Sequence, residues 1–116
     1  MMKGKVVLVA FPFDDLSSSK VRPAVCLTEP MGPHRHVVLA FVSSQVAASL
    51  LPTDIPLDTD TPGFSSTGLR VASTLSLHRL MTVTTTVIRR ELGALPPEIR
   101  ADVVARLHRL FCQSGA

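Results

Sequence analysis

Arg22-Pro23-Ala24-Val25-Cys26-Leu27-Thr28-Glu29-Pro30-Met31-Gly32-Pro33-His34-Arg35-His36-Val37-Val38-Leu39-Ala40-Phe41-Val42-Ser43 reads as two strands and the turn between them. Pro23 to Leu27 and His36 to Val42 are short apolar runs rich in β-branched residues, and Glu29 to Pro33 is turn material. Pro23 lacks a backbone donor, which suits the first residue of a strand. It also holds Arg22 in the extended region. A regular antiparallel hairpin that turns between Gly32 and Pro33 sets Arg22 opposite Ser43, with Cβ atoms roughly 5 Å apart. A guanidinium and a hydroxyl then face each other at one end of the strand pair. Two readings fit. The guanidinium and hydroxyl can hold a phosphate, through two parallel N–H bonds and one O–H bond. Alternatively Arg22 pairs with Asp14 or Asp15 and pins the loop before it.

Outward from this hairpin, Lys5 to Ala10 is a β-branched run without helical spacing and reads as a buried strand. Asp14 to Lys20 is a polar loop, and Ser43 to Leu51 has room for a short helical turn. Asp54 to Leu57 reads as a short strand and Thr59 to Thr67 as an exposed loop. Val71 to Leu77 reads as a strand, Leu80 to Thr86 as strand or turn, and Ile88 to Leu92 as a last strand ended by Gly93. The period then changes. Pro96-Pro97-Glu98 is a helix-start signal. Ile99, Val103, Val104, Leu107, Leu110 and Phe111 fall on one helical face, with Asp102 and Arg106 as an i, i+4 pair on the other. The expectation is a mainly β, α+β chain, a small twisted antiparallel sheet or partial barrel with one C-terminal helix.

The chain has 116 residues, 46% of them hydrophobic and 18% charged, which fits one folded domain over residues 1–116. Aromatics are 4%, all Phe, so the core is aliphatic. The net charge is +3, with nine Arg against three Lys, which favours an anionic partner. The longest apolar runs are too short to span a bilayer. Pro12 and Asp14-Asp15 break the N-terminal run and argue against a signal peptide. Cys26 and Cys112 stand too far apart in sequence for a metal knuckle or a redox pair, and fit buried reduced thiols in a cytoplasmic protein. The four His show no metal-binding spacing, so neither metal nor cofactor is expected.

Gly4 to Val25 resembles the opening of the PemK/MazF family of type II toxin-antitoxin toxins. The resemblance rests on Phe11-Pro12-Phe13-Asp14-Asp15-Leu16, the Ser17-Ser18-Ser19-Lys20 loop and Arg22-Pro23-Ala24-Val25. Thr67-Gly68-Leu69 is a second match, and Ile88-Arg89-Arg90-Glu91-Leu92-Gly93, with the Pro96-Pro97-Glu98 helix start after it, is a weaker one. The resemblance implies an SH3-like barrel of bent antiparallel strands with a C-terminal helix, usually a homodimer. It implies a metal-independent endoribonuclease that cuts single-stranded RNA at short motifs, and a cognate antitoxin whose tail occupies the RNA groove. The family's catalytic arginine maps onto Arg22 and its hydroxyl residue, usually Thr, onto Ser43. This sequence departs from the family at Lys5, where an acid is common, at Ser43, and at Leu77-His78-Arg79-Leu80, where Asp-Lys is common.

Such chemistry needs charge stabilisation on phosphorus, which suits Arg22, and a hydroxyl to orient or bond the phosphate, which suits Ser43. Phe13, Ser19, Lys20, Ser44, Gln45, His78 and Arg79 are candidates for holding RNA, Phe13 by stacking and the others by polar contact. Imidazole titrates near neutrality, so His78 is the one candidate base. Two other functions share the barrel. One is a gyrase-binding toxin of the CcdB type, against which stands the absence of the Trp-Gly-Ile ending. The other is a non-catalytic binding module.

Overall fold

The computed structural model describes residues 1–11, 20–44 and 49–112. The elements are β1 (Lys5–Phe11), β2 (Lys20–Cys26), β3 (His36–Ser43), β4 (Asp54–Leu57), β5 (Ser73–Thr84), β6 (Ile88–Ala94) and α1 (Pro97–Cys112). The strands form one antiparallel sheet in the order β4-β5-β3-β2-β1-β6. This is the expected SH3-like architecture with a C-terminal helix. β4 and β6 remain as edges, so the sheet is open and not a closed barrel.

The unbroken apolar run in β1 has a packing cause. Val6 belongs to a core cluster with Val25, Ala40, Val42, Leu75, Leu77 and the helix residue Val103. Its neighbour Val7 belongs to a second cluster with Val9, Ala24, Cys26, Leu39 and Phe41. A strand covered on both faces has no polar side to show, so it loses the period-2 signal.

The β2–β3 register is the one inferred from the turn. Ala24 pairs with Phe41, Val25 with Ala40 and Cys26 with Leu39. Carried two residues further, this register sets Arg22 against Ser43. Two expectations are corrected, one on each side of this pair. β5 is one strand of 12 residues running through Leu80, where a break was allowed. The cause of the broken pattern is a bulge: Ala40 pairs with Leu80 but the next residue, Phe41, pairs with Ser76. Leu77, His78 and Arg79 lie in the excess length, and a bulge of this kind bends the strand and redirects side chains. β6 also runs through Gly93 to Ala94 and does not end at it.

The Thr59 to Thr67 segment is not wholly exposed. Phe64–Thr67 forms a 3-10 turn whose Thr67 is fully buried. The Thr67 hydroxyl donates to Phe64 O at 2.6 Å and accepts from Leu69 N–H at 3.1 Å, which satisfies it inside the protein.

In α1 the buried stripe is narrower than the sequence pattern. Ile99, Val103 and Leu107 pack on the first cluster, whereas Val104 and Phe111 are 56% and 69% exposed. The Asp102–Arg106 pair forms at 3.0 Å. Arg106 also donates to Pro52 O and Asp54 O, tying the helix to the start of β4. Arg100 donates to Leu95 O. Arg100 and Arg106 are therefore structural. Lys5, where the family commonly has an acid, pairs with Glu91 at 2.9 Å across β1 and β6. Cys112 is exposed, contrary to expectation, while Cys26 is buried; both are free thiols. Among the described residues no helix is long and apolar enough to cross a membrane.

Candidate nucleic-acid interface

The ends of β2 and β3 open onto a cleft of about 890 Å³. Its floor crosses the sheet. Arg90 of β6 pairs with Leu8 of β1, and Leu8 pairs with Pro23 of β2. Val42 of β3 continues the row, and Leu69 and Leu92 add further apolar surface. Around this floor stand Arg22, Arg70, Arg79 and Arg90, all exposed, with Ser43, Ser44 and Ser73. No carboxylate lines the cleft among the described residues. Four arginines with no carboxylate beside them among the described residues favour an anion over a cation, and the arginine fork matches phosphate.

The wall carrying Arg70 is held by close packing. Gly68 sits at φ +75°, and a Cβ built there would lie 2.1 Å from Leu92 O. A Cβ on Gly93 would lie 2.2 Å from Ser66 O. Only hydrogen at both positions lets the 3-10 turn seat against β6. The segment Leu69-Arg70-Val71 therefore leaves the turn in a fixed direction, over the cleft.

Arg79 is positioned by a ring. Its guanidinium carbon lies 5.8 Å from the centre of the Phe41 ring, within cation–π range. The bulge in β5 thus returns Arg79 to the cleft. His78 goes elsewhere: its Nδ1 lies 2.7 Å from Thr53 Oγ1, and it does not line the cleft.

Of the residues singled out in the sequence, the structure brings Arg22, Ser43, Ser44 and Arg79 to one cleft. Phe13, Ser19 and Gln45 lie outside the described residues, as do Asp14 and Asp15, the alternative partners for Arg22. Lys20 opens β2, opposite Phe11. Sequence reasoning missed Arg70 and Arg90. Both sit in stretches noticed for their motif, one after Thr67-Gly68-Leu69 and one in Arg89-Arg90. Nothing local distinguishes Arg90 from Arg89, which does not line the cleft.

A smaller cavity of about 360 Å³ lies between the N-terminal segment and α1, lined chiefly by Val25, Leu27, Leu95, Val103, Val104 and Leu107. It holds Glu29 beside Lys3 and Arg100, so it lacks the single-sign character of the cleft. Glu29 is occupied at the rim. Its carboxylate accepts the backbone N–H groups of Met2 and Lys3 at 2.7 and 3.1 Å, and these bonds hold it below the usual 4.5. Cys26, also on this cavity, has its thiol pushed up to about 11, chiefly by burial and then by the Glu29 and Glu91 charges.

An antiparallel sheet with one terminal helix and a cleft walled by arginines defines a small sheet protein with a basic cleft. The family can be given more closely. Residues 2–111 match the model of the PemK-like, MazF-like toxins of type II toxin-antitoxin systems, and the chain belongs to that family. Its fold is similar to the Mycobacterium tuberculosis toxin MazF-mt6, with TM-score 0.70 and 19% identity over 96% of this chain and 99% of that one. It is also similar to a chain of the MazE-MazF complex from Deinococcus radiodurans (TM-score 0.73, 19% identity, 98% and 97% covered). A third similar structure is an endoribonuclease in complex with its cognate antitoxin from a mycobacterial species (TM-score 0.68, 12% identity, 100% and 99% covered). No curated protein sequence matches the chain.

Proposed function

We propose that this chain is a metal-independent endoribonuclease that cuts single-stranded RNA by attack of the ribose 2′-OH. The observation that carries the reading is the meeting of Arg22 and Ser43 in a cleft with three further arginines and no lining carboxylate among the described residues. The 2′-OH gives up its proton to solvent as its oxygen attacks the adjacent phosphorus, the bond from phosphorus to the 5′ oxygen breaks, and the 5′ oxygen takes a proton back from solvent, so the step is proton-neutral. The products are a 2′,3′-cyclic phosphate and a 5′-hydroxyl. Negative charge grows on the phosphoryl oxygens, and a fixed guanidinium meets it without reorganising. Arg22 has this role and donates toward the leaving oxygen; as a guanidinium it is no ordinary base. Ser43 donates to a non-bridging oxygen or orients the 2′-OH. Ser44 and Arg79 bind the strand.

The chain's family, and its likeness to structures solved as toxin–antitoxin complexes, support a toxin role and an antitoxin partner. The antitoxin's C-terminal tail competes with RNA for the same groove. The toxin works in the cytoplasm as a homodimer, where cutting RNA arrests growth.

The test is incubation of the pure protein with a long unstructured RNA in EDTA, with 5′ ends mapped. Cuts at a short motif that leave a cyclic phosphate are expected, with loss of cutting in Arg22→Ala. Intact RNA, or full cutting by Arg22→Ala, overturns the activity or the role of that residue.

A further inference from the structure

We infer that Arg70 and Arg90 are a backbone grip, holding phosphates that flank the cut and acting in binding rather than in bond breaking. The inference rests on the ribonuclease reading and adds two residues to it.

Both guanidinium groups are unengaged among the described residues. Neither makes an ion pair or a side-chain hydrogen bond among the described residues, and both are exposed at the cleft. Three other basic side chains are already committed: Lys5 to Glu91, Arg100 to Leu95 O, and Arg106 to Asp102, Pro52 O and Asp54 O. Arg79 is drawn to the Phe41 ring. Arg70 and Arg90 therefore lose no internal partner when they take a phosphate.

Their backbones are rigid, as a grip requires. Arg70 follows the turn locked by Gly68 against Leu92, and Arg90 is paired within the sheet to Leu8. The position of β6 also matters. β1 and β2 separate it from β3, so three strand spacings, or about 14 Å, lie between Arg90 and the strand of Ser43. Arg90 thus stands across an apolar floor from the hydroxyl assigned to the cut. Leu8, Pro23 and Val42 form that floor, and no aromatic ring lines the cleft among the described residues. Bases resting on aliphatic side chains gain little by stacking. More of the affinity then falls to charge at the rim, together with the flat faces of the guanidinium groups.

The experiment uses the full chain and one unstructured RNA, both intact and with 2′-deoxyriboses that prevent cutting. Binding of the uncut form is measured against salt. A cation that neutralises one phosphate of a single strand contributes a slope of about −0.7 in log K against log salt. Arg70→Ala and Arg90→Ala are each expected to flatten the slope by about that amount. Each should also raise KM about tenfold, the scale of one charge-assisted bond, with kcat unchanged and the cut motif unaltered. Arg70→Lys and Arg90→Lys keep the slope. Arg89→Ala, one residue along β6 and off the cleft, does nothing. Slopes equal to wild type, a fall in kcat at constant KM, or loss of binding only to an acidic peptide overturns the grip. Wild-type protein that binds with the expected slopes yet cuts nothing overturns the ribonuclease reading and supports the grip.

Discussion

Replacing Gly68 by alanine inserts a methyl group where the structure has no room, and two separate costs follow. The first is conformational: Gly68 sits at φ +75°, ψ 2°, a left-handed conformation that costs an L-residue roughly 1–2 kcal/mol. The second is steric. The new Cβ would lie 2.1 Å from Leu92 O and 2.6 Å from Leu92 C, both backbone atoms of a paired strand. Forcing such contacts apart typically costs about 1–3 kcal/mol. Together these remove roughly 2–5 kcal/mol, a large share of the stability of a domain this size. At about 4 °C per kcal/mol, the melting temperature falls by roughly 8–20 °C. Gly32 is the internal control. It has nearly the same φ, +74°, but no atom lies within 4 Å of a Cβ built there. Gly32→Ala should therefore show the conformational cost alone, roughly 1–2 kcal/mol. Urea titration of both variants, compared at equal m-value, separates the two costs. RNA affinity reads the second consequence, since displaced Leu69-Arg70-Val71 no longer walls the cleft. Equal destabilisation in the two variants, or unchanged RNA affinity in Gly68→Ala, would refute the claim that this close contact fixes the cleft wall.

Other outcomes follow from single groups. An alkylating reagent at pH 8 should label Cys112 quickly and Cys26 only on unfolding, because burial both shields Cys26 and pushes its thiol up to about 11; mass mapping of the labelled peptides checks this. Glu29→Gln should destabilise the N-terminal segment at pH 7. The carboxylate is held below its usual 4.5 by two backbone N–H bonds, so its contribution is present above that value and is lost as pH falls through the lower native one. Amide exchange of Met2 and Lys3, followed from pH 7 downward, should show wild type and variant converging below pH 4.5. His78→Ala should leave the cleavage rate within about twofold, since an exposed ring bonded to Thr53 and off the cleft has nothing to contribute there; a fall of a hundredfold would make it a catalytic base.

The β2–β3 hairpin was legible because its signal is local. A turn bounded by Pro and Gly joins two apolar runs, and the turn's centre alone sets the register that Ala24–Phe41 and Cys26–Leu39 adopt. The C-terminal helix was legible from its period, although the period overstated the buried face at Val104 and Phe111. β5 was less legible. The bulge beside Ala40 shifts the inward-facing positions between Ser76 and Leu80, so one strand reads as two segments. Thr67 and its turn were hidden by composition. A Thr/Ser/Gly-rich stretch reads as exposed, and only the two hydrogen bonds of the Thr67 hydroxyl show how it can be buried. In the cleft, Arg22 and Ser43 could be found because one hairpin sets both. Arg70, Arg79 and Arg90 reach it by a locked turn, a bulge and a third strand pairing, each a product of long-range packing.

A single-turnover measurement on Arg22→Ala, with cutting and binding scored separately, bears hardest on the assignment of catalysis to this cleft. The RNA is cut in EDTA at saturating protein, and affinity is measured on the same strand carrying 2′-deoxyribose at the cut. A guanidinium that meets charge only as the bond breaks should cost about 10²–10³ in the cleavage rate when removed. The affinity for the uncut strand should fall about tenfold or less. A cleavage rate equal to wild type, or a loss that appears wholly in affinity, would contradict the account.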